Sequence, residues 1–185
     1  RERCHRIARS LAARRAVRLG EAHGLSRLAA LGHQSLMIAA VVAGDLNTAL
    51  HHGWLAYAEV RGDPIDEAAY LADMAQLFLD GGHVDVASAG FTAALERPIP
   101  NRIRLPVLGG AAIAAARQGD ANLVERLARE VRCTVNDALL PYASVVGRLD
   151  IAEALEAIGQ LDAAEPFRHE AETVATAHRY HELVH

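Results

Sequence analysis

The chain contains no lysine; all nineteen of its basic residues are arginine. That absence excludes Schiff-base chemistry, a lysine general base and the phosphate-gripping lysine of a Walker-type loop. Aromatic residues make up only 4%, and Trp54 is the single tryptophan. The hydrophobic content of 51% therefore rests on Ala, Leu and Val, which suits closely packed helices better than a β-sandwich. Cys4 and Cys133 are the only cysteines; they are too few for a disulfide framework or a zinc motif and read as buried free thiols. No apolar run reaches the roughly eighteen residues that a membrane span needs, and Leu36–Ala43 stops at Gly44-Asp45. The opening residues lack a signal-peptide pattern, so the expectation is a cytoplasmic chain cut from a longer polypeptide.

Charge is present but uneven. Residues 1–27 carry eight Arg against Glu2 and Glu21, while the rest carries eleven Arg against twenty-one acids, for a net charge of −4. A basic leading segment suits nucleic acid, an acidic partner, a solvated face or docking against a preceding domain. Without interleaved aromatics, and with an acidic remainder, nucleic-acid contact is disfavoured.

The periodicity is helical throughout, and no segment alternates as a strand does. Residues 1–24 read as a basic leading helix, and residues 25–185 as a helical repeat domain. Helices are predicted over 3–22, from Ser26 or Arg27 to Ala43, over 46–60, and from Pro64 to Asp80 behind an Asp63 cap. Another runs from about Gly82 to Glu96. Pro98, Pro100 and Pro106 make residues 97–106 a loop or extended link. Further helices are expected over 105–118 and 122–132, from a cap at Asn136 or Asp137 to Ile158, and over 161–178.

Four of the breaks align. Gly44-Asp-Leu-x-x-Ala49, Gly82-His-Val-x-x-Ala87, Gly119-Asp-Ala-x-x-Val124 and Gly159-Gln-Leu-x-x-Ala164 lie 38, 37 and 40 residues apart. Periods of this size mean a solenoid in which each helix pair buries its apolar face against its neighbours. The pattern resembles the tetratricopeptide (TPR) family. That family places a small residue seven before the turn glycine, alanine five after it, a bulky residue nine after it and alanine twelve after it.

Here the first of those places holds Ala75, Ala112 and Ala152, with Met37 departing, and the last holds Ala56, Ala94, Val131 and Ala171. The bulky place holds Phe91 in the second unit but Gly53, Ala128 and Arg168 elsewhere. The units are longer than the family's usual ones. The resemblance covers residues 25–178 and implies an all-α, right-handed α-solenoid of about four helix-turn-helix pairs plus a leading helix. Ala-rich, loosely periodic arrays of this kind also resemble the helical arms of large bacterial signal-transducing regulators.

No catalytic constellation emerges, and no cofactor or metal is expected. His178, His181 and His185 have metal-compatible spacing but only Glu182 beside them. His51 and His52 are adjacent and point to different sides of a helix. No Gly-x-Ser-x-Gly elbow is present, and Glu153 and Glu156, one turn apart, read as a solvated face. Gly109-Gly110 lacks the context of a phosphate loop.

What remains is the inner surface of the solenoid, the usual binding face in such arrays. The resemblance places Gln34, Ile38, Gln76, Leu79, Asp80, Ile113 and Arg117 there as partner-binding residues. The Lys and Asn with which peptide-clamping members grip a terminal carboxylate are replaced by Gln34, Ala72 and Gly109. The expected function is a non-catalytic protein–protein interaction module of a larger bacterial regulatory protein. Its partner would be a protein, a peptide or another segment of the parent chain. The alternatives are a small-molecule-sensing domain and a scaffold that self-associates through its repeat ends.

Overall fold

The computed structural model describes the backbone of residues 2–183 and the side chains of residues 11–180, 182 and 183. Cys4, His181 and His185, singled out in the sequence, lie outside the described side chains. The described residues form nine α-helices and a short 3₁₀ turn, with no strand. In order, they are α1 (Glu2–His23), α2 (Ser26–Val42), α3 (Leu46–Glu59), α4 (Pro64–Asp80) and α5 (Val84–Leu95). These are followed by α6 (Asn101–Arg117), α7 (Ala121–Thr134), α8 (Pro141–Ala157), α9 (Leu161–His178) and the 3₁₀ turn (His181–Leu183).

Each of α2, α4, α6 and α8 pairs with the helix after it, and α1 packs on α2. Between pairs, α3 meets α4, α5 meets α6, and α6 lies broadly along α8. The helices therefore stack as a solenoid, with α2, α4, α6 and α8 as the first helices of four successive pairs.

The turn chemistry explains the register. Gly44, Gly82, Gly119 and Gly159 all adopt left-handed φ, between 74° and 80°. In each case the amide of the following residue reaches back to a carbonyl of the last helical turn: Asp45 to Ala40 (2.9 Å), His83 to Phe78 (2.8 Å), Asp120 to Ala115 (3.0 Å) and Gln160 to Leu155 (2.9 Å). This is the Schellman closure, which glycine adopts without a Cβ penalty. The same bond closes α1 at Leu25–Gly20 and α9 at Tyr180–Ala175, both 2.8 Å. At the second of these the left-handed residue is Arg179, with φ of 62°. Asp45, Asp63 and Asp120 then cap the next helices by accepting from the Thr48, Ile65 and Leu123 amides, each at 3.0 Å.

Small residues at the repeat positions are buried without exception. Ala75, Ala112 and Ala152, seven before the glycines, and Ala49, Ala87, Val124 and Ala164, five after, are at most 1% exposed. So are Ala56, Ala94, Val131 and Ala171, twelve after. These are the places where paired backbones approach, and the largest core cluster joins α4–α9 around Phe91, Leu105, Leu108 and Ile151.

Two sequence expectations need correction. Residues 101–106 are helix, because α6 starts at Asn101 with extended Pro100 as its cap. Pro106 is only the sixth residue of that helix, so it forfeits a single hydrogen bond, toward the carbonyl of exposed Arg102. Gly109 and Gly110 lie inside α6, within the helix expected over 105–118. A Cβ on Gly110 would sit 2.5 Å from Phe91 Cζ, and one on Gly109 would sit 2.5 Å from Asp150 Cβ. Their hydrogens let α5 and α8 approach. Cys133 is exposed, since it lies off the buried α7 stripe of Val124, Leu127, Ala128 and Val131.

Candidate partner-binding groove

The first helices α4, α6 and α8 border a groove of about 430 Å³. Its floor is apolar, built from Phe91, Pro106, Val107, Ile113 and Val146, with Ala72 keeping the α4 wall low. Carboxylates rise from this floor and from the walls: Asp73 and Asp80 on α4, and Asp150 and Glu153 on α8. Among the described residues, the one cation lining it is Arg117, whose Nη1 donates to the Leu79 carbonyl at 2.7 Å. That places its positive charge at the C-terminal, negative end of α4. The groove is therefore acidic over an apolar base.

The carboxylates differ in their support. Gln76 Nε2 donates to Asp80 Oδ1 at 2.8 Å, one helical turn along α4. Asp73 is half-buried and accepts from Gln34 Nε2 at 2.8 Å. Burial pushes its carboxyl above the ordinary range despite that bond. Asp150 is packed against the bare backbone of Gly109. Burial, and then the neighbouring Glu153 charge, raise its carboxyl from the usual 3.8 to about 7, with no hydrogen bond opposing the shift. A carboxylate buried without a partner is stabilised by any cation brought to it.

Of the residues assigned to the inner surface from sequence, Gln76, Asp80, Ile113 and Arg117 come together here. Gln34 stands one step outside, joined to the groove by its bond to Asp73. Ile38 lies farther along α2 and is 54% exposed, beside exposed Leu31, Val41 and Val42. Leu79 is elsewhere: it is fully enclosed in the core and offers only its carbonyl. Its helical position turns it toward the α5 and α6 side chains.

Asp73, Asp150 and Glu153 escape a residue-by-residue reading, yet the repeat register contains them. Asp73 and Asp150 both stand nine before a turn glycine. Glu153 stands six before one, in the row of Ile38, Gln76 and Ile113. Glu153 is exposed, as the solvated-face reading expects, and also lines the groove, whereas Glu156 is paired at the surface with Arg168 at 2.5 Å. A second hollow, of about 330 Å³, lies against α2 and the start of α4. It is bridged by Arg27, which reaches Asp63 at 2.6 Å and Asp66 at 2.9 Å.

The fold has a counterpart among solved structures. The chain is similar over 93% of its length to nearly identical TPR-like repeats from a kinesin light chain-like protein of Podosopora anserina. The TM-score is 0.57 at 16% identity, and 96% of that chain is covered. A singly substituted form of the same repeats gives a TM-score of 0.59 at 16% identity, over 93% of this chain and 95% of that one. The fold is a TPR-like helical repeat. At this identity the likeness is one of fold. No family model matches the sequence, and no curated protein matches it either. Among the described residues, no helix of this TPR-like array is long and apolar enough to cross a membrane.

Proposed function

We propose that the protein is a non-catalytic, cytoplasmic interaction module whose α4–α6–α8 groove holds a basic segment of a partner polypeptide. The observation that carries this reading is the groove itself: among the described residues, four carboxylates from two helices stand over an apolar floor, against the single cation Arg117. An arginine or lysine side chain matches both parts, with its methylene stem on the floor and its charged head among the carboxylates. The TPR-like fold supports the same reading, because helical repeats present their first helices as a continuous concave surface. A bacterial regulatory parent protein is supported by the sequence resemblance alone.

The test uses fluorescein-labelled peptides of alternating Leu and Arg, with Leu–Glu peptides of equal length as the comparison. The Leu–Arg peptide should bind, more weakly as salt rises, and the Leu–Glu peptide should not. Gln76→Arg, or Asp150→Asn combined with Glu153→Gln, should weaken binding about tenfold or more while leaving the helical circular dichroism unchanged. Equal affinity for the two peptides, or unaltered affinity in both variants, would overturn the proposal.

A further inference from the structure

One cluster lies outside the groove and is unused by it. His33 of α2 and His52 of α3 meet inside the first hairpin, with ring centroids 5.3 Å apart and planes inclined by 29°. Their Nδ1 atoms are 3.1 Å apart, and His33 is only 5% exposed. At that distance one Nδ1–H donates and the other Nδ1 accepts, so a single proton occupies the space between the rings. A first added proton can settle on the remote nitrogen of the donor ring without breaking that bond. A second turns the acceptor into a donor and sets two N–H groups head to head between two cations.

We propose that this pair is a proton-operated latch: neutral, it holds α1 and α3 on α2, and protonated, it releases that N-terminal layer.

The surrounding geometry makes the rings hard to move independently. Gly32, beside His33, faces α1 so closely that a Cβ there would lie 2.8 Å from Val17 N and 2.9 Å from Ala13 O. Backbones of α1 and α2 thus touch next to the buried ring, and swinging His33 into water requires α1 to shift. On the other side of His33, Gln34 bonds to Asp73 in the groove. Opening the latch therefore loosens the groove's α2 support as well.

The charged groups facing the pair are Arg14 and Glu21 from α1, and His51 and Glu59 from α3. Glu21 and Glu59 favour a proton on His33; His51 opposes it, and Arg14 and His51 oppose one on His52. Burial outweighs these and holds both imidazoles below their ordinary 6.5. For a histidine held low in the folded state, the unfolded chain protonates first. Stability is complete above pH 6.5 and is lost as the pH falls from there through the lower folded value.

Hydrogen exchange read by mass spectrometry at about pH 7.5 and about pH 5, corrected for intrinsic rates, tests the latch. Protection of α1–α3 should fall about tenfold or more on acidification. The α6–α8 contact should instead tighten as Asp150 takes up its proton, which separates the latch from general acid loosening. In His52→Gln, which keeps a hydrogen-bonding side chain without a titrating ring, the fall should be largely absent. Imidazole titration by NMR in the unsubstituted protein gives a reading that needs no variant, with both midpoints expected below 6.5. Midpoints at or above 6.5, or an undiminished pH response in a folded His52→Gln protein, would overturn the proposal.

Discussion

Asp150 offers the sharpest physical test of the groove, through the substitution Asp150→Asn. The carboxyl stands against Gly109, and burial followed by the Glu153 charge lifts it to about 7 from 3.8. Each tenfold change in proton affinity corresponds to about 1.4 kcal/mol, so ionising this group in place costs about 2–4 kcal/mol, the lower figure allowing for its residual solvent contact. The sign follows from linkage. An acid raised in the folded state contributes stability that is complete below pH 3.8 and is lost as the pH rises through about 7. Asn has nearly the same shape and no charge to desolvate. Urea unfolding should therefore find Asp150→Asn more stable than the parent by about 2–4 kcal/mol at pH 8, with the difference closing toward pH 4. A basic peptide should reverse part of this in the parent alone, because its cation stabilises the ionised form and displaces a proton on binding. Binding of the Leu–Arg peptide should accordingly strengthen between pH 6 and pH 8. Equal stabilities of the two proteins across the whole range would refute the assignment of Asp150 as a buried, unpartnered acid.

Two further substitutions probe the scaffold. Gly110→Ala gains about 1 kcal/mol of helix propensity but drives a methyl into the Phe91 ring, whose position at 2% exposure leaves little room to retreat; overpacking of about 1–3 kcal/mol should leave a net loss of about 1 kcal/mol by chemical denaturation, largely relieved by adding Phe91→Leu. Arg148→Met should cost about 1–3 kcal/mol, because the 5% exposed guanidinium joins Asp137 at 2.5 and 3.0 Å to Glu170 at 3.0 Å and so ties the α7–α8 link to α9. Since the Arg148 guanidinium also holds Asp137 below the ordinary carboxylate range, the stability of the parent should fall on acidification below pH 3.8 more than that of Arg148→Met, measured by urea unfolding.

How much can be read from the sequence depends on whether a position is constrained locally or by a distant partner. The left-handed turns are legible because Gly44, Gly82, Gly119 and Gly159 answer a backbone demand within four residues of themselves. Asp45, Asp63 and Asp120 are legible as caps for the same reason. Residues 101–106 are misread as a loop because local chemistry there is ambiguous: Pro100 ends one segment but also starts a helix, and Pro106 sits early enough to be tolerated. Why Gly109 and Gly110 must be glycine is not legible, because their reason lies in α8 and α5, at Asp150 and Phe91. The His33–His52 contact joins residues nineteen apart across a hairpin. Helical phase alone separates His51 from His52, but it does not say that His33 faces one of them.

The same distinction separates the rows of the repeat that pack from those that line the groove. Positions seven before and five and twelve after the turn glycine are buried between helices, so apart from Met37 they hold Ala or Val, as Ala75, Ala87 and Ala94 do in the second unit. Positions six before it range from buried Ile113, at 9%, to exposed Ile38, at 54%, and three of them line the groove. They hold Ile38, Gln76, Ile113 and Glu153, four residues with little in common. Divergence in a row whose neighbours repeat is compatible with the proposed binding of a partner segment, which has no reason to present the same side chain every 37 to 40 residues. The packing rows therefore reveal the solenoid, while the irregular rows bordering it, Asp73 and Asp150 included, define what the groove can hold. Exchanging Glu153 for the Ile of the preceding unit would leave the stack intact and remove one of the groove's four carboxylates. Under the proposed function it should therefore weaken binding of the Leu–Arg peptide without lowering stability, because charge rather than helix packing would set partner choice there.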